Sequence, residues 1–350
     1  MTDMFEQVRE RVLSRFAGLE VASIRPLGSG LINQTFLVAT ESQRFVLQRL
    51  APIFAPEINS NIAAVTRALA AAGMITPQLL PARDGRLWLD LGAGGVWRVQ
   101  TFVDGHGFDK VQSAAQARAA SALVARFHRA LEGLRHTFVG LREGVHDTAR
   151  HLTKLRDALT AEEGHRLLPD VAGLATTIFA CAERLPPLPG LPSLIGHGDL
   201  KLNNILFAGQ AALAAEEAVC LIDLDTVGPV LLAHELGDAW RSWCNLSGED
   251  ATAAQLDLNV MRASFEGYAG AIGRELKPEE RLALVLGVEW ISLELAARFA
   301  ADALNECYFG WKPGRYQTRG EHNLVRARGQ LSLHQALSAC RAERSKLLGA

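Results

Sequence analysis

Residues 197–204 read HGDLKLNN: His197, Gly198, Asp199, Leu200, Lys201, Leu202, Asn203, Asn204. The aspartate stands two places after the histidine, the lysine two further on, and Asn204 five after Asp199. Such a run is either a polar loop without chemistry or a site for moving phosphate. Transfer of a γ-phosphoryl group needs a carboxylate beside the acceptor hydroxyl, oxygen ligands for Mg²⁺, and positive charge on the migrating oxygens. Asp199 at a strand end supplies the first. The Asn204 amide oxygen, one loop turn away, supplies part of the second, and Lys201 can reach the transferring phosphate as a point charge.

The flanking residues support the same reading. SLIGHGD is a short strand leading into the motif, NILF a strand leaving it, and VCLIDLDTV (219–227) the next apolar strand, with Asp223 at its end. Pairing of 206–207 with 220–222 in an antiparallel hairpin would return Asp223 to the loop, giving a hard cation two oxygen ligands from neighbouring backbone segments. Asp225 either ligates or orients the metal or caps its segment. His197 braces the loop by hydrogen bonds, and Asp238 with Arg241 forms an internal ion pair holding it.

Ahead of the motif the chain reads as helix 4–18 and then a strand, a glycine turn at Gly28-Ser29-Gly30, and a second strand ending at Thr40. RFVLQRL (44–50) is a third strand. Residues 57–72 have helical spacing through Ile58, Ile62, Val65 and Leu69, and 86–91 and 96–103 read as two more strands around GAGG. After Asp104-Gly105 the composition turns helical. Helices are expected at 112–135, one or two within 147–184, and then at 231–244, 252–273, 278–305 and 322–345. The proline-rich LPPLPGLPS (185–193) is a connector. The expected class is α+β: a bilobal chain with an antiparallel-sheet N-lobe (1–103, nucleotide-binding) and a mainly helical C-lobe (104–350) carrying the catalytic loop and substrate site.

The 350 residues suffice for two lobes, and the formal net charge of −2 offers no electrostatic reason to expect nucleic acid or an anionic membrane. The 5 cysteines are scattered without a CxxC pair, which suits free thiols in a reducing compartment. The N-terminus has no apolar signal-type core, and no uncharged apolar run reaches spanning length. A cytoplasmic, soluble monomer or weak dimer acting on a small molecule is expected.

HGDLKLNN with IDLD resembles the H-x-D-x-x-x-x-N loop and metal-binding aspartate of the protein-kinase-like fold. It is similar in particular to the aminoglycoside phosphotransferase and choline kinase superfamily, in which glycine follows the histidine. GSGLINQTFLV matches that superfamily's nucleotide loop, and WRVQTFVDG falls at its hinge. GLINQTFLV, FVLQRLAPIF, KLNNILF, IDLDTVGP, ELGDAWR and especially EHNLVRARGQ (321–330) resemble the N-acetylhexosamine 1-kinases. The resemblance implies ATP and Mg²⁺ as cofactors, with adenine against the backbone of Gln100, Phe102 and Val103. The loop carrying Gly28, Gly30, Asn33 and Thr35 would cover the phosphates. Mg²⁺ would sit on Asn204 and Asp223, with Asp225 as a further candidate, and the acceptor would be the anomeric hydroxyl of N-acetylglucosamine or N-acetylgalactosamine.

Where protein-kinase-like folds place a third-strand lysine, this chain has FVLQRL, so Gln48 or Arg49 must anchor the phosphates, with Glu57 a possible helix partner. On the apolar helix 281–304, Glu294, Arg298 and Asp302 form an i, i+4, i+8 stripe. The stripe is either a pair of helix-stabilising ion pairs or the polar wall of a sugar pocket. The resemblance puts Arg298 where hexosamine kinases contact substrate, and Asn323 and Arg326 rest on it alone. Tyr308, Phe309 and Trp311 either stack on a sugar or pack in the core. The stretch 310–320 is longer than the family's usual link. Other readings fit less well. Gly198 replaces the arginine of a protein kinase and no A-P-E follows Asp223. No Gly-Lys dipeptide exists for a P-loop, and position 238 is Asp where a zinc protease needs His. The alternatives left are a kinase for another small hydroxyl compound and an inactive sugar-binding relative.

Overall fold

The apolar-rich runs QTFLVA (34–39) and RFVLQR (44–49), separated by the polar TESQ, have the composition of two strands joined by a short turn. In the computed structural model, which describes residues 2–28, 33–209 and 216–350, the strands are β1 (Ser23–Pro26), β2 (Gln34–Ala39), β3 (Arg44–Arg49), β4 (Leu89–Asp90) and β5 (Val96–Thr101). They form one antiparallel sheet in the order β1-β2-β3-β5-β4. Phe36, Val38, Phe45, Leu47, Trp97 and Val99 cluster with Val8, Val12, Leu13 and Phe16, which belong to helix α1 (Thr2–Arg11) and the turn after it. Helix α2 (Ile58–Ala71) lies between β3 and β4 in the chain. The strand expected over 86–91 is only Leu89–Asp90, because Asp84 closes a turn by accepting the Arg86 backbone N–H at 3.1 Å and its guanidinium at 2.8 Å.

The remaining elements are mainly helices: α3 (Ala114–Leu131), α4 (Thr148–Ala161), α5 (Leu168–Arg184), α6 (Leu232–Trp243), α7 (Leu258–Ala271), α8 (Pro278–Asn305), α9 (Arg319–Ala339) and α10 (Arg341–Leu348). Short strands β6 (Leu194–Gly196) and β9 (Gly228–Val230) form one two-stranded sheet, and β7 (Ile205–Phe207) and β8 (Ala218–Leu221) another. Most of the small-residue connection between β7 and β8 lies outside the described residues.

Local capping chemistry moves two helix starts from their expected places. Helix α7 begins at Leu258, not 252, because the Asp257 carboxylate accepts the N–H groups of Asn259 and Val260 at 2.8 and 3.2 Å. Helix α9 begins at Arg319, where the Thr318 hydroxyl accepts the Glu321 N–H at 3.2 Å. The single helix expected over 322–345 breaks at Cys340 into α9 and α10.

Two compact units result. One comprises Met1–Gly105, Ala130–Arg142 and Cys220–Gly228; the other comprises His106–Arg129, Glu143–Val219 and Pro229–Ala350. In the second, α8 is buried along most of its length. It packs against α6 so closely that a Cβ on Gly287 would lie 2.1 Å from the Ala233 carbonyl oxygen. Only glycine fits there, and this crossing sets where α6 lies. Among the described residues no helix is long and apolar enough to cross a membrane, and all five cysteines are free thiols.

Candidate active site

The loop at 197–204 follows β6, and carboxylates on α6 hold its backbone. Glu235 accepts the His197 N–H on Oε1 at 2.7 Å and the Gly198 N–H on Oε2 at 2.9 Å. One helical turn on, Asp238 Oδ2 accepts the Leu200 N–H at 3.1 Å. The Trp243 indole N–H donates to the Leu200 carbonyl at 2.8 Å. Residue 196 is glycine because a Cβ there would meet Val230 Cγ1 at 2.3 Å and Glu235 Cδ at 2.8 Å. His197 is fully buried, with Nδ1 3.3 Å from the Asp199 N–H. Asp238 also pairs with Arg241 at 2.9 Å, and Arg241 reaches Glu249 at 3.0 Å.

On this backbone Asp199 keeps a side chain 24% exposed, with the Lys201 ammonium 3.1 Å from Oδ2. The Asn204 amide nitrogen donates to the Asp199 carbonyl at 2.9 Å and reaches its Oδ2 at 3.4 Å. Both of those partners are pure acceptors, so the Asn204 amide must turn its nitrogen toward them and its Oδ1 away. Burial works to lower the Lys201 pKa, but Asp199, with Glu249 and Asp238 further off, outweighs it. The net shift is upward, and Lys201 stays an ammonium.

The other unit carries Asp223 and Asp225. Asp223 has φ of 62°, in the left-handed region; among described non-glycine residues only Glu306 shares that sign. Aspartate tolerates this conformation better than most residues. The Asp223 side chain is exposed, whereas Asp225, in the turn Leu224–Thr226, is buried. Asn33 donates to Asp225 Oδ2 at 2.6 Å, and Arg98 pairs with Oδ1.

Arg98 has no exposed surface and lies across the sheet from Gln48, which lies across from Thr35. Its guanidinium donates to Gln48 Oε1 at 2.9 and 2.7 Å and to Asn59 Oδ1 at 3.3 Å. Gln100 Nε2 donates to the same Gln48 oxygen at 2.9 Å, and Gln48 Nε2 reaches Thr35 Oγ1 at 3.3 Å. Asn33, Thr35, Gln48, Gln100 and Asp225 are therefore one hydrogen-bonded group with Arg98 at its centre.

A match to the family model described as "Phosphotransferase enzyme family" (APH) runs over residues 23–270 and takes in both the sheet and the loop. The chain belongs to this phosphotransferase family. Solved structures of the same fold include an aminoglycoside phosphotransferase from Alicyclobacillus acidocaldarius subsp. acidocaldarius DSM 446. It is 17% identical, with 96% of each chain covered and a TM-score of 0.60. A microcompartment-associated aminopropanol kinase is also 17% identical, covering 96% of this chain and 98% of its own, with a TM-score of 0.64. An amicoumacin kinase in complex with AMP-PNP and Ca²⁺ is 12% identical, covering 95% and 96%, with a TM-score of 0.62.

In this phosphotransferase Gln48 and Arg49 face opposite sides of the sheet, as alternation along a strand requires. Gln48 shares its face with Arg98 and Thr35, while Arg49 turns to the other, 6.0 Å over the Trp97 ring and close against Gly95. Glu57 is exposed at the start of α2, and from that helix it is Asn59 that bonds Arg98. Gly28 has φ of 74°, as a glycine turn requires; Gly30 lies outside the described residues. The Phe102 N–H donates to the Arg44 carbonyl at 3.2 Å, immediately before Val103.

The residues expected to line a sugar pocket divide into three groups. Arg298 lies 3.5 Å from Glu294 and 5.6 Å over the Phe309 ring. Glu294, 1% exposed, also accepts from Thr148 at 3.0 Å and faces His146 at 3.4 Å. Burial raises its pKa, but His146, Arg298 and His151 outweigh this and hold it below the usual range. Asp302 is engaged by the chain itself: it accepts the N–H groups of Cys307, Tyr308 and Phe309 at 3.0, 2.9 and 2.8 Å and the Asn323 amide at 2.8 Å. Phe309 packs 4.3 Å from Phe299, and Tyr308 is 42% exposed. Arg326 bonds Asp250 at 3.1 Å and the Gly310 carbonyl at 2.8 Å.

Two residues escaped the sequence reading. Arg98 stood in an apolar strand and was read only as strand; a cation at that position must be buried and needs a carboxylate. Glu235 is the second. Its glutamate spacing to Asp238 is the signal of two carboxylates on one helical face. Burial raises the Glu235 pKa, but His128 and His197 outweigh it and the net shift is downward. The support it gives is therefore present above its unfolded pKa of about 4.3 and lost as pH falls below that value. Glu235→Gln replaces one acceptor with an N–H₂ facing a backbone N–H. It is expected to cost about 1–3 kcal/mol and to flatten the acid limb of a melting-temperature profile below about pH 5. A variant with wild-type melting and an unchanged acid limb would remove Glu235 from this role.

Proposed function

We propose that this phosphotransferase moves the γ-phosphoryl group of ATP to the anomeric hydroxyl of an N-acetylhexosamine, N-acetylglucosamine or N-acetylgalactosamine, to give the sugar 1-phosphate. The observation that carries the reading is the loop itself: a partly exposed Asp199 beside Lys201, with the Asn204 oxygen turned away from the Asp199 carboxylate. The acceptor oxygen attacks the γ-phosphorus as the bond to the β,γ-bridging oxygen breaks and ADP leaves. Asp199 orients that hydroxyl and takes its proton, and Lys201 balances charge on the migrating group.

We assign the adenine to the backbone of Gln100 to Val103 and the phosphates to the loop bearing Gly28, Gly30, Asn33 and Thr35. Among the described residues no cluster of three or more His, Cys, Asp or Glu is arranged to hold a metal alone. This donor set suits Mg²⁺, which is commonly bound by one or two protein oxygens together with substrate phosphates. Asn204 and Asp223 are assigned to it; when bound, it neutralises phosphate charge. Asp225, engaged by Arg98 and Asn33, is assigned to bracing the Asp223 segment. The nucleotide analogue and divalent cation in the amicoumacin kinase complex support nucleotide use with a metal.

The hexosamine assignment rests on the resemblance of EHNLVRARGQ and the other motifs. The aminopropanol kinase and aminoglycoside phosphotransferase among the similar folds favour a second reading, an amine-bearing acceptor. Incubation with ATP, Mg²⁺ and a panel of N-acetylhexosamines, ethanolamine, aminopropanol and kanamycin, followed by ³¹P NMR, separates the two. An anomeric phosphate on an N-acetylhexosamine is the expected product. Phosphorylation of the amines alone would replace the first reading with the second.

A further inference from the structure

Beside Lys201, Leu202 and Asn203 lies a cavity of about 140 Å³ whose wall includes Gln330 of α9. At roughly 10–15 Å³ for each water-sized site, it holds a group the size of a single sugar ring. Gln330 is 1% exposed, and its Oε1 has no hydrogen-bond partner within the protein. Asn323, one face-repeat earlier on the same helix, likewise has a bare Oδ1, while its nitrogen bonds Asp302. Buried amide oxygens are nearly always hydrogen-bonded. A bare one in a cavity wall is a place for a donor from outside the chain.

The charge around the cavity restricts what that donor can be. Lys110, Lys201 and Arg241 contribute three cations against the carboxylates of Asp109 and Glu249. Each cation has a fixed partner: Lys110 donates to the Leu246 carbonyl at 2.8 Å, Lys201 pairs with Asp199 at 3.1 Å, and Arg241 with Glu249 at 3.0 Å. The lining thus holds one cation more than it holds carboxylates, a balance that favours an uncharged hydroxyl or amide N–H over an ammonium.

We infer that Gln330 is a specificity-determining residue of the acceptor site, its amide oxygen accepting a hydrogen bond from a hydroxyl or amide N–H of an uncharged acceptor seated beside Lys201. The inference rests on the reading that Asp199 orients the acceptor hydroxyl. It extends the EHNLVRARGQ motif to a residue for which neither the motif nor the family match supplies a role.

Steady-state kinetics of Gln330→Leu and Gln330→Glu with N-acetylglucosamine, N-acetylgalactosamine and glucosamine, monitored by ADP release, test it. Gln330→Leu is expected to raise the KM for either N-acetylhexosamine about tenfold to a hundredfold, with the KM for ATP within twofold. Gln330→Glu keeps an accepting oxygen and adds a negative charge. It is expected to retain a KM within tenfold of wild type for the N-acetylhexosamines and to improve kcat/KM for glucosamine, a cation, relative to them. A purely structural residue would move the ATP and acceptor constants together and show no rescue by glutamate. An acceptor KM unchanged in Gln330→Leu, or parallel losses in both constants, overturns the inference. Should the leucine variant lose its cooperative melt, the glucosamine preference of Gln330→Glu decides alone, and its absence is a refutation. The wild type tells the two failures apart. If it turns over no N-acetylhexosamine, the proposed function falls and this inference with it; if it does but Gln330→Leu is kinetically silent, only the role of Gln330 falls.

Discussion

Asp199→Asn is expected to lower kcat by about 10²–10⁴-fold, the contribution typical of one positioned base, or about 3–5 kcal/mol of barrier at 1.36 per decade. The substitution keeps the shape of the side chain and removes its ability to take a proton. Lys201, 3.1 Å away, loses its charge partner, and Asn204 keeps its bond to the residue 199 carbonyl. The loop backbone is held from α6 through the amides of residues 197, 198 and 200, none of which the change touches. The KM for ATP should therefore stay within a few-fold of wild type, and the melting temperature within a few degrees. ADP release with N-acetylglucosamine measures the first quantity and a thermal melt the second. A kcat within threefold of wild type would end the assignment of Asp199 as base.

Arg98→Met is expected to destabilise the sheet-bearing unit by about 3–5 kcal/mol, the usual cost of removing one partner of a buried ion pair. The pair is closed from solvent, with side-chain exposures of 0% and 3% for Arg98 and Asp225. Without the guanidinium, Asp225 keeps its bond from Asn33 but loses its charge partner, and Gln48 loses both donors that Arg98 supplied. The double variant Arg98→Met/Asp225→Leu should recover most of the loss, since replacing both charges with apolar groups is often nearly neutral. Urea titration followed by tryptophan fluorescence reads both, because Trp97 adjoins Arg98 in β5. A single variant within 1 kcal/mol of wild type, or a double variant no better than the single, would show that the pair does not anchor this part of the sheet.

Much of the fold could be read along the chain because its signals are local. The apolar runs of 34–39 and 44–49, the proline-rich connector and the long helical runs each depend on residues a few places apart. The juxtaposition in the candidate loop was legible for the same reason: Asp199, Lys201 and Asn204 fall within six positions, and a loop that short brings them together whatever surrounds it. The misplaced boundaries were also local, but they turned on single capping groups. Asp257 and Thr318 move the starts of α7 and α9, and a turn closed by Asp84 shortens β4. Periodicity does not weigh such groups.

Long-range pairing was beyond that reading. That Gln48 and not Arg49 joins Asp225 follows from sheet register, through an arginine fifty residues on. Asp302 looked like one end of a polar stripe with Glu294 and Arg298, yet it caps the chain leaving α8 while Glu294 gathers Thr148 and the histidines. Two later segments, Ala130–Arg142 and Cys220–Gly228, return to the unit of the first hundred residues, which no composition shift announces.

From residue order alone came the secondary-structure plan and the candidate loop with its charge types, because a strand's composition and a loop's reach are properties of neighbouring residues. Tertiary structure alone revealed which cation meets Asp225, which carboxylates hold the loop, and which amide oxygen is left without a partner. Those outcomes depend on burial, where a charge or a hydrogen-bonding group must find its complement from whatever distant segment the packing brings to it.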